Sequence, residues 1–154
     1  QRIADQMNAD LEGEEVVFVG VLNGAFMFAS DLLRRIRFDV RITFVKLASY
    51  QGISSSGRVK KLIGINEVLQ DKTVVIVEDI IDTGNTIESM IDQVSGFKPK
   101  SVKVASLLLK PDLYTKDIRP DYIGFRIPPH FVVGFGLDYM GLGRNLPDLY
   151  VLED

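Results

Sequence analysis

Apolar positions along this chain follow two rhythms, and the order in which they alternate predicts the architecture. Residues Thr73–Ile80 read Thr-Val-Val-Ile-Val-Glu-Asp-Ile, with four consecutive aliphatic side chains that would face both sides of a strand. A strand covered by a layer on each side needs that continuity, whereas a strand with one wet face alternates. Glu15–Leu22 and Ser101–Leu109 carry the same signal. The spacing then changes to that of a helix. In Ala25–Ile36, Phe28, Leu32, Leu33 and Ile36 share one face, and after Thr73–Ile80 so do Ile87, Met90, Ile91 and Val94. A strand–turn–helix unit therefore occurs twice.

The rest of the chain fits around those units. Arg2–Leu11 predicts a short helix, and Val40–Tyr50 alternates and is rich in β-formers. Gln51–Arg58 carries two glycines and three consecutive serines and predicts a loop, with strand-like residues resuming at Val59. Asp121–Phe125, Phe131–Phe135 and Leu149–Leu152 are shorter strand candidates separated by Pro and Gly. The expectation is an α/β fold, a central mainly parallel sheet flanked by helices, with a small irregular β addition. Ligands of such sheets bind beyond the carboxyl ends of the strands, where the polar clusters of this sequence fall.

Composition narrows the function. With 154 residues, 46% apolar and 25% charged, and with no repeat or low-complexity tract, residues 1–154 are expected to form one domain. A formal net charge of −3 provides no global basic field for nucleic acid or an anionic membrane, so any polyanion must be held locally. Without cysteine there is no disulfide framework and no thiolate metal site, which is compatible with a reducing cytosol. No apolar run approaches the roughly 18–20 residues that span a bilayer. Gln1-Arg2-Ile3-Ala4-Asp5 lacks a signal-peptide core, and the expected location is cytoplasmic. The missing initiator Met suggests that the sequence begins inside a longer chain.

Candidate chemistry concentrates after the strand Thr73–Ile80. The turn Asp82-Thr83-Gly84-Asn85-Thr86 offers backbone N–H groups, two hydroxyls and the positive end of a helix, a site for one phosphate. The plainer reading is that Asp82 or Asn85 caps the helix. The P-loop pattern and the Gly-x-Gly-x-x-Gly fingerprint are both missing. Glu78 and Asp79 end a buried strand, where unpaired carboxylates are expensive to desolvate. Sugar hydroxyls, or a hard divalent cation, would satisfy them; two solvated acids at a strand end are the alternative. Asp82 stands at the loop start, within reach of whatever the turn holds, as a general acid or base would.

The stretch Glu78-Asp79-Ile80-Ile81-Asp82-Thr83-Gly84-Asn85-Thr86 resembles the phosphoribosyl-diphosphate (PRPP) binding motif of type I phosphoribosyltransferases, and its wording is similar to the hypoxanthine-guanine branch. The resemblance implies that fold, with its β hood, and assigns the 5′-phosphate to Asp82, Thr83, Gly84, Asn85 and Thr86. It gives the ribose hydroxyls to Glu78 and Asp79, and makes Asp82 the acid/base at purine N7. Further matches cover nearly the whole chain. Asn23 and Gly24 correspond to a pyrophosphate loop whose non-proline peptide presents backbone N–H groups; where many relatives carry Lys or Arg, Asn23 supplies no charge, and Asn-Gly alone is a common tight turn. Ser49-Tyr50, followed by the Gln51–Arg58 loop, resembles a lid that closes over the diphosphate, though by itself it reads as a hairpin or linker.

Lys110 resembles the lysine that donates to purine O6; without the family it is equally a snorkelling surface residue. Phe131 and Val132 resemble the purine clamp, Leu137 a residue against the base, Asp138 a second Mg²⁺ ligand beside Glu78 and Asp79, and Arg144 a contact to pyrophosphate. Taken alone, Phe131–Gly134 is a core strand and Arg144 a solvated loop residue. His130, the only histidine, matches no catalytic position and reads as a turn residue. The implied reaction transfers 5-phosphoribosyl from PRPP to N9 of hypoxanthine, and also of guanine, with Mg²⁺ as cofactor and a 6-oxopurine as partner. Relatives assemble as homodimers or homotetramers. Alternatives within the fold are a xanthine-preferring enzyme and a PRPP-sensing regulator. A regulator should display a basic face, and the charge balance offers none.

Overall fold

The computed structural model describes residues 1–47 and 61–152, and of Lys61 and Leu62 the backbone alone. Helix α1 (Arg2–Asp10) precedes β1 (Val16–Leu22), α2 (Phe26–Leu33), β2 (Val40–Leu47), β3 (Lys61–Ile63) and β4 (Thr73–Ile81). Then come α3 (Asn85–Ser95), β5 (Ser101–Leu109), β6 (Tyr122–Arg126), β7 (Val132–Val133) and β8 (Tyr150–Val151). Six strands form one sheet in the order β3-β2-β1-β4-β5-β6, and β7 pairs with β8 in a small antiparallel ribbon. Within the large sheet β2, β1, β4, β5 and β6 run parallel, and only the edge strand β3 is antiparallel to its neighbour. This is the expected architecture, a mainly parallel sheet between helices with a small β addition.

Continuous apolar strands are explained by the two cores they serve. Val75 and Val77 of β4 face one way with Phe18 and Ala105, against Ile3 and Met7 of α1 and Phe28 and Leu32 of α2. Val74 and Ile76 face the other way with Val17, Val19 and Val104, against Ile87, Met90 and Val94 of α3. Residues adjacent in sequence thus enter opposite cores, and burying each such side chain contributes about 1.5–3 kcal/mol. No helix among the described residues is long and apolar enough to cross a membrane.

Several boundaries depart from the sequence expectation. The helix expected over Ala25–Ile36 ends at Leu33, because its last turn tightens into Arg35 N–H to Leu32 O and Ile36 N–H to Leu33 O bonds of 3.0 and 3.1 Å. Of Phe131–Phe135 only Val132–Val133 is strand. Gly134 and Phe135 take φ of 104° and 47°, swinging the chain into a turn closed by two 3.0 Å bonds between Gly134 and Leu137. Asp121 stays outside β6, where its carboxylate accepts the Val104 N–H at 2.8 Å. The Gln51–Arg58 loop and the Ser49-Tyr50 pair lie outside the described residues.

At the amino ends of the strands the polar groups satisfy one another. Glu14 accepts from Lys100 Nζ at 2.7 and 2.8 Å and from Thr73 Oγ1 at 3.1 Å, and Ser101 Oγ donates to Thr73 Oγ1 at 3.1 Å. The Lys100 hydrogen bond, then that from Thr73, holds the Glu14 carboxyl below its ordinary value.

Candidate active site

The sheet order makes β1 and β4 the point where the connections diverge: β1 leads outward to β2, while β4 leads the other way to β5 and β6. Their carboxyl ends deliver Leu22-Asn23-Gly24 and Glu78–Asp82 side by side. The contact is close enough that a Cβ on Gly24 would lie 1.6 Å from Asp79 Oδ2. Any side chain at Gly24 must therefore displace the carboxylate or the loop. The Leu22–Asn23 peptide is cis, and Asn23 is exposed. From the hood, Gly136 packs on the same loop, with a would-be Cβ 2.2 Å from Gly24 O.

Glu78 is only 7% exposed, and its Oε2 has no hydrogen-bond partner. Burial, followed by the charge of neighbouring Asp79, pushes its carboxyl well above the ordinary value. Burial also raises Asp79, less strongly, because Glu78, the Ile80 N–H at 2.8 Å and the Arg144 charge oppose it. A buried acceptor left unsatisfied costs about 1–3 kcal/mol, so this end of β4 is built to receive something. Among the described residues no three His, Cys, Asp or Glu side chains gather into a metal cage. An orphaned oxygen beside a second carboxylate does suit a hard cation that takes its remaining ligands from substrate oxygens, as Mg²⁺ does.

Beyond Asp82 the chain turns into α3 through Gly84, which sits at the N-cap with φ 90°. Left-handed backbone explains a glycine there, and so does space: its Cβ would lie 2.5 Å from Tyr114 Cε2 and 2.7 Å from Lys116 Cγ. No side chain caps α3, which sets aside the reading of Asp82 or Asn85 as a mere helix cap. Asp82, Thr83, Asn85 and Thr86 are exposed around a cavity of ≈ 270 Å³ that runs from Glu78 to Ile87. The first N–H groups of a helix lack intrahelical partners, and here they stay available to an anion.

A second cavity, ≈ 190 Å³, shares Asp79, Ile80 and Asp82 with the first and adds Lys110, Phe131, Val132, Leu137 and Asp138. Lys110 is 7% exposed, against the surface reading, and its ammonium lies 2.9 Å from Asp82 Oδ1. Parallel pairing fixes that meeting, since Ile81 is in register with Leu109 and the Lys110 N–H donates to Ile81 O at 3.0 Å. Val132 is held in β7 opposite Val151. Phe131 remains 52% exposed, edge-on to Tyr139 at a 5.7 Å centroid distance and 80°.

Arg144 is engaged within the hood rather than free. It pairs with Asp138 Oδ1 at 2.7 Å and donates to Gly136 O at 2.8 Å, while Asp138 also accepts the Gly141 N–H at 2.7 Å. His130 is exposed in a turn closed onto Pro128 O, and Ser49 and Tyr50 lie outside the described residues.

Sequence reasoning missed the supports of the site. Ile80 lines both cavities, Gly136 touches the Gly24 carbonyl, and Tyr114, Thr115 and Lys116 back the Gly84 turn. Only the glycine had a legible signal, in the spacing Gly134-Phe135-Gly136. The 114–116 segment has no periodicity and carries no motif.

Comparison with known proteins shows the family. A family model described as a phosphoribosyl transferase domain matches residues 1–140. A hypoxanthine-guanine phosphoribosyltransferase of Staphylococcus aureus is 38% identical over 154 residues, spanning 99% of this chain and 86% of that protein. A crystal structure of a hypoxanthine phosphoribosyltransferase from Staphylococcus aureus superposes with a TM-score of 0.92 at 38% identity, covering 99% of this chain and 83% of that one. A hypoxanthine-guanine phosphoribosyltransferase from Bacillus anthracis, with HEPES in its active site, gives 0.90 at 41% identity, covering 97% and 87%.

Proposed function

The chain belongs to the phosphoribosyl transferase family, and on that premise we propose that it is a purine-salvage enzyme transferring 5-phosphoribosyl from PRPP to N9 of hypoxanthine and guanine. The observation that carries the reading is the pair of joined cavities at the β1/β4 divergence, one ending in an uncapped helix and the other in a buried Lys110 beside Asp82. One cavity suits a sugar phosphate and the other a flat, polar-edged base.

The 5′-phosphate would sit on the Asp82–Thr86 turn, with Glu78 and Asp79 accepting from the ribose hydroxyls and Asn23 and Gly24 offering backbone donors to the diphosphate. Phe131 would cover the base, Val132 would bond its edge through the backbone, and Leu137 would close the other side. Lys110 would turn from Asp82 to purine O6 as the base enters, freeing the Asp82 carboxylate to take the N7 proton. N9 then bonds to the ribose C1′ as the bond from C1′ to the diphosphate oxygen breaks, and the diphosphate leaves with that electron pair. Mg²⁺, when bound, would supply charge neutralisation for the diphosphate, and Glu78, Asp79 and Asp138 are the residues that would hold it. Positioning and electrostatics, without a nucleophile, would supply the rate. Assembly as a homodimer or homotetramer in the cytoplasm completes the proposal.

The test is a steady-state assay with PRPP, Mg²⁺ and each of hypoxanthine, guanine, xanthine and adenine, following pyrophosphate release. Release with the first two bases and little with adenine is expected. No PRPP-dependent release with any base would overturn the reading.

A further inference from the structure

The segment that follows Lys110 does more than connect β5 to β6. Tyr114 and the stem of Lys116 lie against Gly84, at 2.5 and 2.7 Å from where its Cβ would be. Thr115 donates to the Thr83 carbonyl through N–H at 3.4 Å and Oγ1 at 3.3 Å, and the Tyr114 hydroxyl donates to Ile118 O. The segment thus braces the phosphate turn from outside. Lys116 then reaches across to the first turn of α3, where its Nζ lies 2.6 Å from Glu88 Oε2.

Glu88 raises an electrostatic question. A carboxylate in the first turn of a helix is favourable when the helix end is empty, but it competes with an anionic ligand for the same positive end. A phosphate monoester carries close to two negative charges at neutral pH, so an uncompensated Glu88 would oppose it. Lys116 is 22% exposed and Glu88 47%, so part of the interaction is screened by water and part is not. We propose that Lys116 is a positioning residue for phosphate binding: by neutralising Glu88 and packing on Gly84 it keeps the amino end of α3 attractive to a dianion without touching the ligand. This rests on the phosphate turn being the PRPP site. It differs from a structural ion pair in one respect, the sign of the effect at Glu88.

The experiment measures KM for PRPP, KM for hypoxanthine, kcat and Tm for wild type, Lys116→Met, Lys116→Arg, Glu88→Gln and Lys116→Met/Glu88→Gln at low and high salt. Lys116→Met should raise KM for PRPP about three- to tenfold at low salt and less at high salt, with kcat and the purine KM within about twofold of wild type. Lys116→Arg should restore wild-type values. Glu88→Gln should lower KM for PRPP, and the double variant should return to within about twofold of wild type. Glu88→Gln raising KM for PRPP as Lys116→Met does would make the pair a brace and overturn the proposal. So would equal changes in both KM values, or no change in Lys116→Met. Should Lys116→Met fail to fold, the sign in Glu88→Gln decides alone. Wild-type protein without PRPP-dependent transfer would instead remove the functional reading itself.

Discussion

The two ends of the central sheet carry the same residue types and use them in opposite ways. At the amino ends Glu14 is held by Lys100 and Thr73, and both of its carboxylate oxygens find donors. At the carboxyl ends Glu78 is buried with an oxygen that has no partner, α3 starts on a glycine with no side-chain cap, and Asp82 is paired with a buried lysine. One Glu therefore has its carboxyl lowered by a hydrogen-bonded lysine, and the other has it raised well above the ordinary value by desolvation. A finished polar network stabilises the fold; an unfinished one marks where a ligand completes it.

Substitutions can break that contrast in order of size. Asp82→Asn keeps the shape of the site, so KM for PRPP should stay near wild type while kcat falls about 10- to 1,000-fold through loss of the acid/base. Unchanged turnover would remove Asp82 from the chemistry. Lys110→Ala should raise KM for the purine about 10- to 100-fold and KM for PRPP far less, the size expected when a charged hydrogen bond is lost. Equal effects on both substrates would contradict the base-side placement of Lys110. Glu78→Gln should raise KM for PRPP about three- to tenfold while Tm stays level or rises, since it removes a charge that burial opposes. A Tm drop beyond about 4 °C would show that Glu78 serves the fold instead.

Legibility followed the same division. Strands such as Thr73–Ile81 could be read because burial on both faces demands uninterrupted aliphatic residues, and the acids that end β4 stood out against that run. The turn holding Gly84 was legible as a phosphate site, and the glycine in it takes φ of 90°. What could not be read depends on contacts between distant segments. The meeting of Lys110 with Asp82 requires the parallel register of β4 and β5, and the Arg144–Asp138 pair requires the hood turn at Gly134 and Phe135. The 114–116 brace has neither periodicity nor motif, because its job is to fill the space a glycine leaves.

The smallest effect belongs to the amino end, and it has a pH signature that separates it from Glu78. Folding holds the Glu14 carboxyl below its ordinary value, first through the Lys100 hydrogen bond and then through Thr73. Its contribution is therefore complete above the unfolded value and is lost as pH falls through the lower folded one. Glu78 runs the other way: above its raised folded value the buried charge opposes folding, and protonation relieves that opposition as pH falls. Glu14→Gln should lower Tm by at most a few degrees at neutral pH, and Glu78→Gln should hold or raise it, with both differences shrinking toward acid. Thermal melts of the two variants and wild type from pH 8 down to about pH 3 would reveal that convergence from opposite sides. The Glu14→Gln enzyme should also keep kcat and both KM values within about twofold of wild type, because nothing in that network reaches the carboxyl ends of the strands. A variant with wild-type melts and impaired turnover would mean that the amino end sets the geometry of the site, and the division between the two ends would fail.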